Sequence, residues 1–142
     1  MTRFLTEGPL DAQRLLAEVA HPGCGASTLF LGTVRASAED GDVQGIAYSS
    51  YPEMAEAEFG RLVGEARAQW PGARIALRHR TGHVPLGEAS IAIAVAAPHR
   101  AEAYECSRFL IEQTKHRVPI WKKEQLGGGA ARWVEPKAGS HA

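Results

Sequence analysis

The segment that most constrains the fold is Ala89–Ala97, nine residues without a charge in which isoleucine or valine alternates with alanine. A strand that is apolar on both faces is usually buried on both faces, as at the centre of a sheet. The longest apolar run, Ile91–Pro98, is much shorter than the roughly 20 residues of a membrane-spanning helix. The segment therefore predicts a central strand rather than a membrane span.

Further strands and helices are predicted from the spacing of apolar residues and the positions of proline and glycine. Helices are predicted at 9–20, 52–70 and 98–117, and strands at 3–6, 26–35, 45–51, 74–80, 120–125 and 131–135. The predicted connections are a mobile loop at 36–44, a turn-rich segment at 81–88 and a flexible turn at 127–129. This order favours an α+β fold with a mainly antiparallel sheet and about three helices. We expect one domain over residues 1–135 and a flexible tail over 136–142.

The charge balance and the first residues exclude several classes of protein. Lys plus Arg and Asp plus Glu each number 16, so the chain is neutral, whereas nucleic-acid-binding domains are usually basic. The first residues, MTRFLTEGPLDAQ, have no apolar core of signal-peptide length, which favours a cytoplasmic location. There is neither a strand–GxGxxG–helix unit nor a GxxxxGK(S/T) loop, so the common nucleotide-binding folds are excluded.

The cysteines and two of the histidines do not indicate a reactive centre. Cys24 and Cys106 are the only cysteines, and their separation of 82 positions fits neither a metal site nor a redox pair. We therefore expect no bound metal and no cofactor. Cys106 lies among apolar residues in a helical pattern and is predicted to be a buried core thiol. His79 and His83 flank a predicted turn and are interpreted as strand-end and turn residues.

Candidate chemistry is concentrated in residues 98–124. His99 and Arg100 stand at the start of the third helix, where free backbone N–H groups favour a bound anion such as phosphate. An ion pair between Arg100 and Glu102 is the structural alternative. Lys115 stands at the end of the same helix, where cations are favoured whatever their function, so a solvated helix cap is its alternative.

The position of Pro119 predicts that a second lysine lies close to Lys115. Proline blocks the helix and turns the chain, so the extended segment that follows can run back beside the helix end. Lys122 would then approach Lys115, while Trp121 would point to the opposite face and anchor the segment in the core. Two lysines close together and partly out of water lower each other's pKa, and a neutral amine can act as a base or nucleophile.

The end of the second predicted strand is another candidate. Gly32 permits the close approach of a ligand or of another backbone. Arg35 ends the strand with a planar guanidinium that suits phosphate. A strand-end arginine in solvent is the alternative.

Six short motifs occur in one order along the chain. They are Phe30-x-Gly32-x-Val34-Arg35, Tyr51-Pro52-x-Met54, His79-Arg80-x-Gly82, His99-Arg100, Lys115-x-Arg117-x-Pro119-x-Trp121-Lys122-x-Glu124 and Arg132-Trp133-Val134. Together they resemble the large, catalytic subunit of the molybdopterin synthase family over residues 26–135. The motif that contains the lysines is the most specific of the six.

This resemblance implies a sulfurtransferase of molybdenum cofactor biosynthesis. Such an enzyme converts cyclic pyranopterin monophosphate, also called precursor Z, to molybdopterin by inserting two sulfurs as a dithiolene. The sulfur comes from the thiocarboxylated Gly-Gly C-terminus of a small ubiquitin-like partner subunit. The family forms a heterotetramer around a homodimer of large subunits, and its fold is an α/β hammerhead with an antiparallel sheet.

The resemblance also assigns residues to the site. The two catalytic lysines of the family correspond to Lys115 and Lys122. The substrate-binding positions correspond to Thr33, Val34, Arg35, His99, Arg100, Lys115, Lys122, Lys123 and Glu124. The glycines at 127–129 depart from the family pattern as an insertion beside the site.

The length of the third helix adds a geometric expectation. Arg100 and Lys115 are separated by roughly 22 Å along an α-helix, which is longer than a pterin phosphate. We therefore expect each site to be shared, with Lys115, Lys122 and Arg35 from one subunit and His99 and Arg100 from its dimer mate. Two other functions stay open: a non-enzymatic docking domain for a ubiquitin-like tail, and a regulatory dimer that binds a phosphorylated ligand.

Overall fold

The computed structural model describes residues 4–36, 43–126 and 131–134. The helices of this part of the chain are α1 (Ala12–Val19), α2 (Pro52–Gln69) and α3 (Arg100–Arg117). Its strands are β1 (Leu5–Thr6), β2 (Ala26–Thr33), β3 (Val43–Ser50), β4 (Arg74–Arg80), β5 (Gly82–Pro85), β6 (Ala89–Ala97), β7 (Ile120–Leu126) and β8 (Ala131–Trp133). The predicted turn at 127–129, the tail at 136–142 and most of the predicted loop at 36–44 lie outside the described residues.

Strand β6 lies inside the first sheet, as its composition predicts. The strand order is β1-β4-β6-β2; β6 runs antiparallel to both neighbours, and β1 is parallel to β4. Ile91, Ile93 and Val95 pack toward α2 and α3, whereas the alanines between them pack against α1. Successive side chains of a strand point to opposite faces, so β6 is apolar on both faces and helices cover each of them.

The second sheet carries the basic segment that follows α3. Its strand order is β5-β3-β7-β8, and all of these pairs are antiparallel. The chain returns from β4 to this sheet at Gly82, whose positive φ of 83° suits glycine. The prediction of a turn-rich connection is wrong for residues 82–85, which form β5 because Val84 is fully buried and the backbone pairs with β3.

Two other elements differ from their predicted form. Helix α1 begins three residues later than predicted because Asp11 caps it, with its carboxylate accepting a hydrogen bond from the Arg14 N–H at 3.1 Å. The alternation of Ile75 and Leu77 with Arg74, Ala76 and Arg78 predicts a half-buried strand, but β4 is buried on both faces. Ala76 and Leu77 are both buried, because α1 covers one face of the strand and the larger helices cover the other.

The pairing confirms the predicted α+β fold with mainly antiparallel sheets. Among the described strands, β1 and β4 form the one parallel pair. None of the helices in the described residues is long and apolar enough to cross a lipid bilayer. The end of α3 and the start of β7 lie beside β3 and β4, and this junction holds the candidate chemistry.

Candidate active site

Lys115 and Lys122 meet at the junction of α3 and β7. The helical conformation stops at Val118, before Pro119. Strand β7 then runs antiparallel to β3, which places Lys122 opposite Tyr48. Lys122 lies close enough to Lys115 for its charge to act on the Lys115 amine. The convergence predicted from the turn at Pro119 is therefore present in the structure.

The Lys115 amine is largely withdrawn from water. Burial, followed by the positive charge of Lys122 beside it, lowers the pKa of this amine from 10.5 to about 7. A substantial fraction of the amine is uncharged at neutral pH, and an uncharged amine can act as a base or nucleophile. A solvated cation that only caps α3 does not fit these surroundings.

His79 reaches the same lysines from the end of β4. The residue is only 5% exposed, and its ring lies edge-on to Tyr48 with 5.3 Å between the ring centroids. Burial and the charges of Lys115 and Lys122 lower the pKa of the imidazole to about 4. His79 is a strand-end residue as predicted, because β4 ends at Arg80, but its burial beside the lysines was not predicted. A signal was available in β4, because His79 is two residues from the buried Leu77 and so lies on the same face.

The other histidine and cysteine candidates lie elsewhere. His83 is exposed on β5, where its Nδ1 contacts the Gln125 side-chain oxygen. Cys106 is the predicted core thiol, and burial raises its pKa to about 11. Within the described residues, no three His, Cys, Asp or Glu side chains form a group that could hold a metal ion.

The end of β2 approaches the lysine pair through Val34. Val34 is buried in one small cluster with Tyr48, the strand partner of Lys122. The backbone N–H of Val34 donates to the Glu88 carbonyl at 3.0 Å, which attaches this segment to the turn between β5 and β6. Thr33 and Arg35, on either side of Val34, are exposed. Their side chains are therefore accessible to a ligand.

Packing between β2 and β6 explains why position 32 is a glycine. A Cβ at this position would lie 2.8 Å from the Ile91 side chain of β6, closer than real Cβ atoms approach. The glycine thus fits β2 against β6, and by itself it does not indicate a ligand.

His99 and Arg100 lie at the other end of α3 from Lys115. His99 is the N-cap residue and Arg100 is the first helical residue, and both are exposed. The alternative ion pair between Arg100 and Glu102 is not among the ion pairs of the described residues. Because α3 is an uninterrupted helix of 18 residues, a single chain does not bring these two residues to the lysine pair.

Strand β7 presents different residues on its two faces. Lys122 and Glu124 share one face, whereas Trp121 and Lys123 lie on the other. The Lys123 amine lies 5.4 Å from the ring centroid of Trp133 on β8, a cation–π contact. Of the consecutive lysines, only Lys122 therefore shares a face with the buried Tyr48.

Trp121 corrects one prediction. It is 41% exposed and lies edge-on to Tyr51, with 5.1 Å between the ring centroids. The prediction that it anchors the segment in the core is wrong, because the inner face of β7 is occupied by Lys122 and its neighbours on that face. Ile120, on that inner face, packs against the core instead.

Arg117 fastens the end of α3 to α2. Its Nε donates to Glu58 at 2.9 Å, and its terminal nitrogens donate to Glu65 at 2.9 and 2.8 Å. Charge-assisted bonds of this kind hold the last turn of α3, and thereby the backbone of Lys115, in one position. These partners lie 59 and 52 positions away, so spacing along the chain does not reveal them.

Comparison with known proteins identifies relatives of the whole chain. The family described as MoaE protein matches residues 5–117. A molybdopterin synthase catalytic subunit of Halalkalibacterium halodurans is 40% identical over 130 residues, which are 92% of this chain and 83% of that protein. One of Drosophila willistoni is 44% identical over 135 residues, which are 94% of this chain but 36% of that protein. The chain thus spans about a third of the length of the Drosophila relatives that it matches.

Solved structures share the fold. The crystal structure of molybdopterin synthase from Staphylococcus aureus has a TM-score of 0.89 and 29% identity, with 95% of this chain and 98% of that chain covered. A complex of subunits 1 and 2 of the molybdopterin-converting factor from Helicobacter pylori has a TM-score of 0.79 and 25% identity, with 97% and 92% covered. The chain belongs to the MoaE protein family, the family of the molybdopterin synthase catalytic subunit.

Proposed function

We propose that this chain catalyses sulfur transfer to cyclic pyranopterin monophosphate, precursor Z, and so forms the dithiolene of molybdopterin. The observation that carries the proposal is the largely buried Lys115 amine beside Lys122, in a chain of the MoaE family. Docking a tail or binding a phosphorylated ligand uses the charged form of a lysine, whereas burial beside another cation favours the uncharged form, which can accept a proton. The lysine pair therefore favours an enzyme over both alternatives.

The surroundings of each basic residue suggest its role. Lys115, with a pKa of about 7, exchanges a proton at the pterin carbon under attack or assists opening of the cyclic phosphate. Lys122 contributes a positive charge that orients the thiocarboxylate anion of the partner. Arg35 is exposed at the end of β2, where its guanidinium binds the substrate phosphate.

The remaining expected contacts belong to the same two segments. Thr33 is exposed beside Arg35, and Lys123 and Glu124 follow Lys122 on β7. Val34 is 2% exposed, so its contribution is to hold the backbone of this segment rather than to present a side chain.

We infer that the sulfur donor is a small ubiquitin-like subunit with a thiocarboxylated Gly-Gly tail. The relative from Helicobacter pylori is a complex of two different subunits. On this chain Tyr51 and Trp121 touch each other and are exposed, and Met54 is exposed one turn along α2. Exposed apolar surface of this kind beside a reactive site suits a protein partner. Because a Gly-Gly tail has no side chains, it can extend past this apolar surface and reach Lys122.

The proposed site uses two copies of the chain. Roughly 22 Å of helix separates Arg100 from Lys115, so one copy cannot close around a pterin phosphate with both. We infer that His99 and Arg100 of one copy complete a site built from Lys115, Lys122 and Arg35 of the other. The copies form a homodimer within a heterotetramer.

Turnover of precursor Z with the thiocarboxylated partner tests this function. We expect Lys115→Ala to bind both reactants and to form no dithiolene. The matched control is Arg108→Ala, which removes an exposed cation of the same helix whose ion-pair partner, Glu112, is also on that helix. The control should keep its turnover.

Three results would contradict the proposal. Near-normal turnover by Lys115→Ala would remove Lys115 from the chemistry. Partner binding without turnover by the unsubstituted chain would favour the docking domain. Binding of a phosphorylated ligand with no affinity for the partner would favour the regulatory dimer.

A further inference from the structure

His79 lies behind the lysine pair, on the side turned toward the protein interior. We propose that His79 is a positioning residue for Lys115 and Lys122: an immobilised ring that walls the interior side of the site and places no counter-ion of its own beside the Lys115 amine. The inference rests on the proposed function of Lys115 as a proton-exchanging group.

The orientation of the His79 ring is set on two sides. Its Nδ1 lies 2.8 Å from the Arg80 carbonyl oxygen, to which it donates a hydrogen bond. In a neutral imidazole the other nitrogen, Nε2, then has no proton. The ring is flanked by Tyr48, at 5.3 Å between centroids, and by Phe59, at 6.3 Å. These contacts leave the ring little freedom to turn.

Tyr48 connects His79 to the second lysine. Tyr48 stands opposite Lys122 in the pairing of β3 with β7, so the two side chains lie on one face of that sheet. The same Tyr48 ring lies edge-on to His79 of the first sheet, with the Ser90 side chain near its hydroxyl. The imidazole of the first sheet therefore meets the phenol of the second sheet, on the sheet face that also carries Lys122.

The electrostatic coupling agrees with this geometry. The charges of Lys115 and Lys122 both lower the pKa of His79, in addition to the larger effect of burial. The resulting pKa of about 4 leaves the imidazole neutral at the pH at which Lys115 loses its proton. His79 thus neither repels the Lys115 cation at that pH nor stabilises it as a carboxylate would.

The charged groups around this site have other partners or lie on the same strand as Lys122. On α2, Glu56 accepts hydrogen bonds from the backbone N–H groups of Phe4 and Leu5. Glu58, also on α2, is bound by Arg61 and Arg117. On β7, Glu124 lies two residues beyond Lys122 and on its face. On β3, the buried group is the Tyr48 phenol, whose pKa burial raises.

A carboxylate in place of His79 tests the inference. We expect His79→Asp to raise the pKa of Lys115 by about one unit or more, because an anion beside a lysine favours its charged form. His79→Gln is uncharged and keeps an N–H donor, so it should leave that pKa nearly unchanged. The control is His21→Asp, which places the same charge in the exposed turn after α1.

The measurement is an NMR titration of the full chain labelled at the lysine ε-carbons, without partner or substrate. The chain has four lysines, at positions 115, 122, 123 and 137, so loss of one signal in Lys115→Met assigns the resonance. An unchanged Lys115 midpoint in His79→Asp, or an equal shift in His79→Gln and His79→Asp, would overturn the inference. Because no turnover is measured, failure of the proposed function would appear separately.

A second titration covers the case in which His79→Asp does not fold. The midpoint of His79 itself is followed in the unsubstituted chain and in Lys115→Met, which deletes one of the two neighbouring cations. We expect the pKa of His79 to rise in Lys115→Met, because a charge that lowers it has been removed. An unchanged His79 midpoint would show that the two groups do not act on each other and would overturn the inference.

Discussion

Lys115 combines a functional advantage with a loss of stability. The burial that lowers its pKa to about 7 also withdraws a cation from water, and the charge that acts on it is that of a second cation, Lys122. Groups that are poised for chemistry are commonly tolerated by a fold rather than optimal for it. The lysine pair should therefore behave differently from an ordinary surface lysine when it is replaced.

Replacing Lys115 by methionine should stabilise the protein while it abolishes sulfur transfer. The pKa of Lys115 is about 7 in the folded chain and 10.5 without the fold. Between these values the unfolded chain binds more protons, so the stability of the unsubstituted protein rises with pH. The destabilisation is complete below about pH 7 and disappears as the pH rises through 10.5. We expect Lys115→Met to gain about 1–3 kcal/mol at about pH 6 and less at about pH 9.

Urea unfolding at the two pH values measures this gain. Lys123→Met is the matched control, because Lys123 lies on the outer face of β7 over Trp133. The control should not gain stability at either pH. If Lys115→Met is no more stable than the unsubstituted chain at low pH, burial of the Lys115 amine does not destabilise the fold.

The rate of sulfur transfer should depend on pH through the same group. If Lys115 acts as a base, its protonated form is inactive, and the single-turnover rate should fall about tenfold for each pH unit below about 7. His79, with a pKa of about 4, stays neutral over this range and adds no step. Arg108→Ala should keep the same profile. A rate that is independent of pH between about 5.5 and 8 would contradict the role of Lys115 as the base.

Residue by residue, the sequence predicted the lysine pair better than its surroundings. Pro119 determines the turn after α3 through local backbone sterics, so the approach of Lys122 to Lys115 was accessible from the chain alone. The environment of His79 depends on Tyr48, a residue 31 positions earlier on another sheet. The spacing of residues along β4 does not predict a contact with Tyr48, so the sequence indicated only that His79 ends a strand.

At the scale of elements, the position of the lysine pair depends on how the end of α3 is fastened. Arg117 joins this end to α2 through Glu58 and Glu65. The carboxylates sit two turns apart on one face of α2 and receive the guanidinium from one side, a geometry that an isolated lysine cannot reproduce. The interaction is therefore directed as well as attractive.

Arg117→Lys should loosen the end of α3 while keeping the charge. We expect the mutant to have a lower melting temperature and a reduced rate of sulfur transfer, because a single ammonium cannot hold both carboxylates in the same geometry. Arg108→Lys is the control, since its pair with Glu112 joins only successive turns of one exposed helix surface. Equal melting temperatures and rates for the two mutants would show that the contact between α2 and α3 does not position the site.

Element boundaries followed the sequence where a local signal is strong. Helix α3 has nearly its predicted limits because Pro98 and Pro119 bound it, and β6 lies inside a sheet because both of its faces are apolar. Strand β5 was missed, since four residues that include glycine and proline resemble a turn until β3 supplies the pairing partner. The exposed position of Trp121 was missed for a similar reason: the face of β7 that turns inward is determined by β3.

At the scale of the whole molecule, the predicted site residues form two separate groups. Strand β2 separates the two groups, as α3 does. Its first residue, Ala26, pairs with Ala97, near His99, whereas its last residue, Thr33, pairs with Ala89 at the other end of β6. Arg35 follows the second of these ends and Lys115 lies at the far end of α3. Both elements therefore place the helix start away from the lysines. The expectation of a site shared by two copies stays a prediction that a mixed dimer can test.

Mixing two inactive mutants should restore activity if the site is shared. When equal amounts of Lys115→Ala and Arg100→Ala chains are unfolded together and refolded, about half of the dimers contain one of each. In such a dimer one site receives Lys115 from the Arg100→Ala chain and Arg100 from the Lys115→Ala chain, and the other site lacks both. We expect about a quarter of the turnover of the unsubstituted protein, since half of the dimers have one intact site of two.

A second mixture separates sharing from a general effect of refolding. Lys115 and Lys122 are expected on the same side of each site, so chains with Lys115→Ala and Lys122→Ala should form no intact site in any dimer. That mixture should stay inactive. If Arg100 and Lys115 of one chain served the same substrate, every site in the first mixture would contain one substitution and mixing would restore nothing. Turnover in the first mixture alone therefore requires Arg100 and Lys115 to act from different copies of the chain.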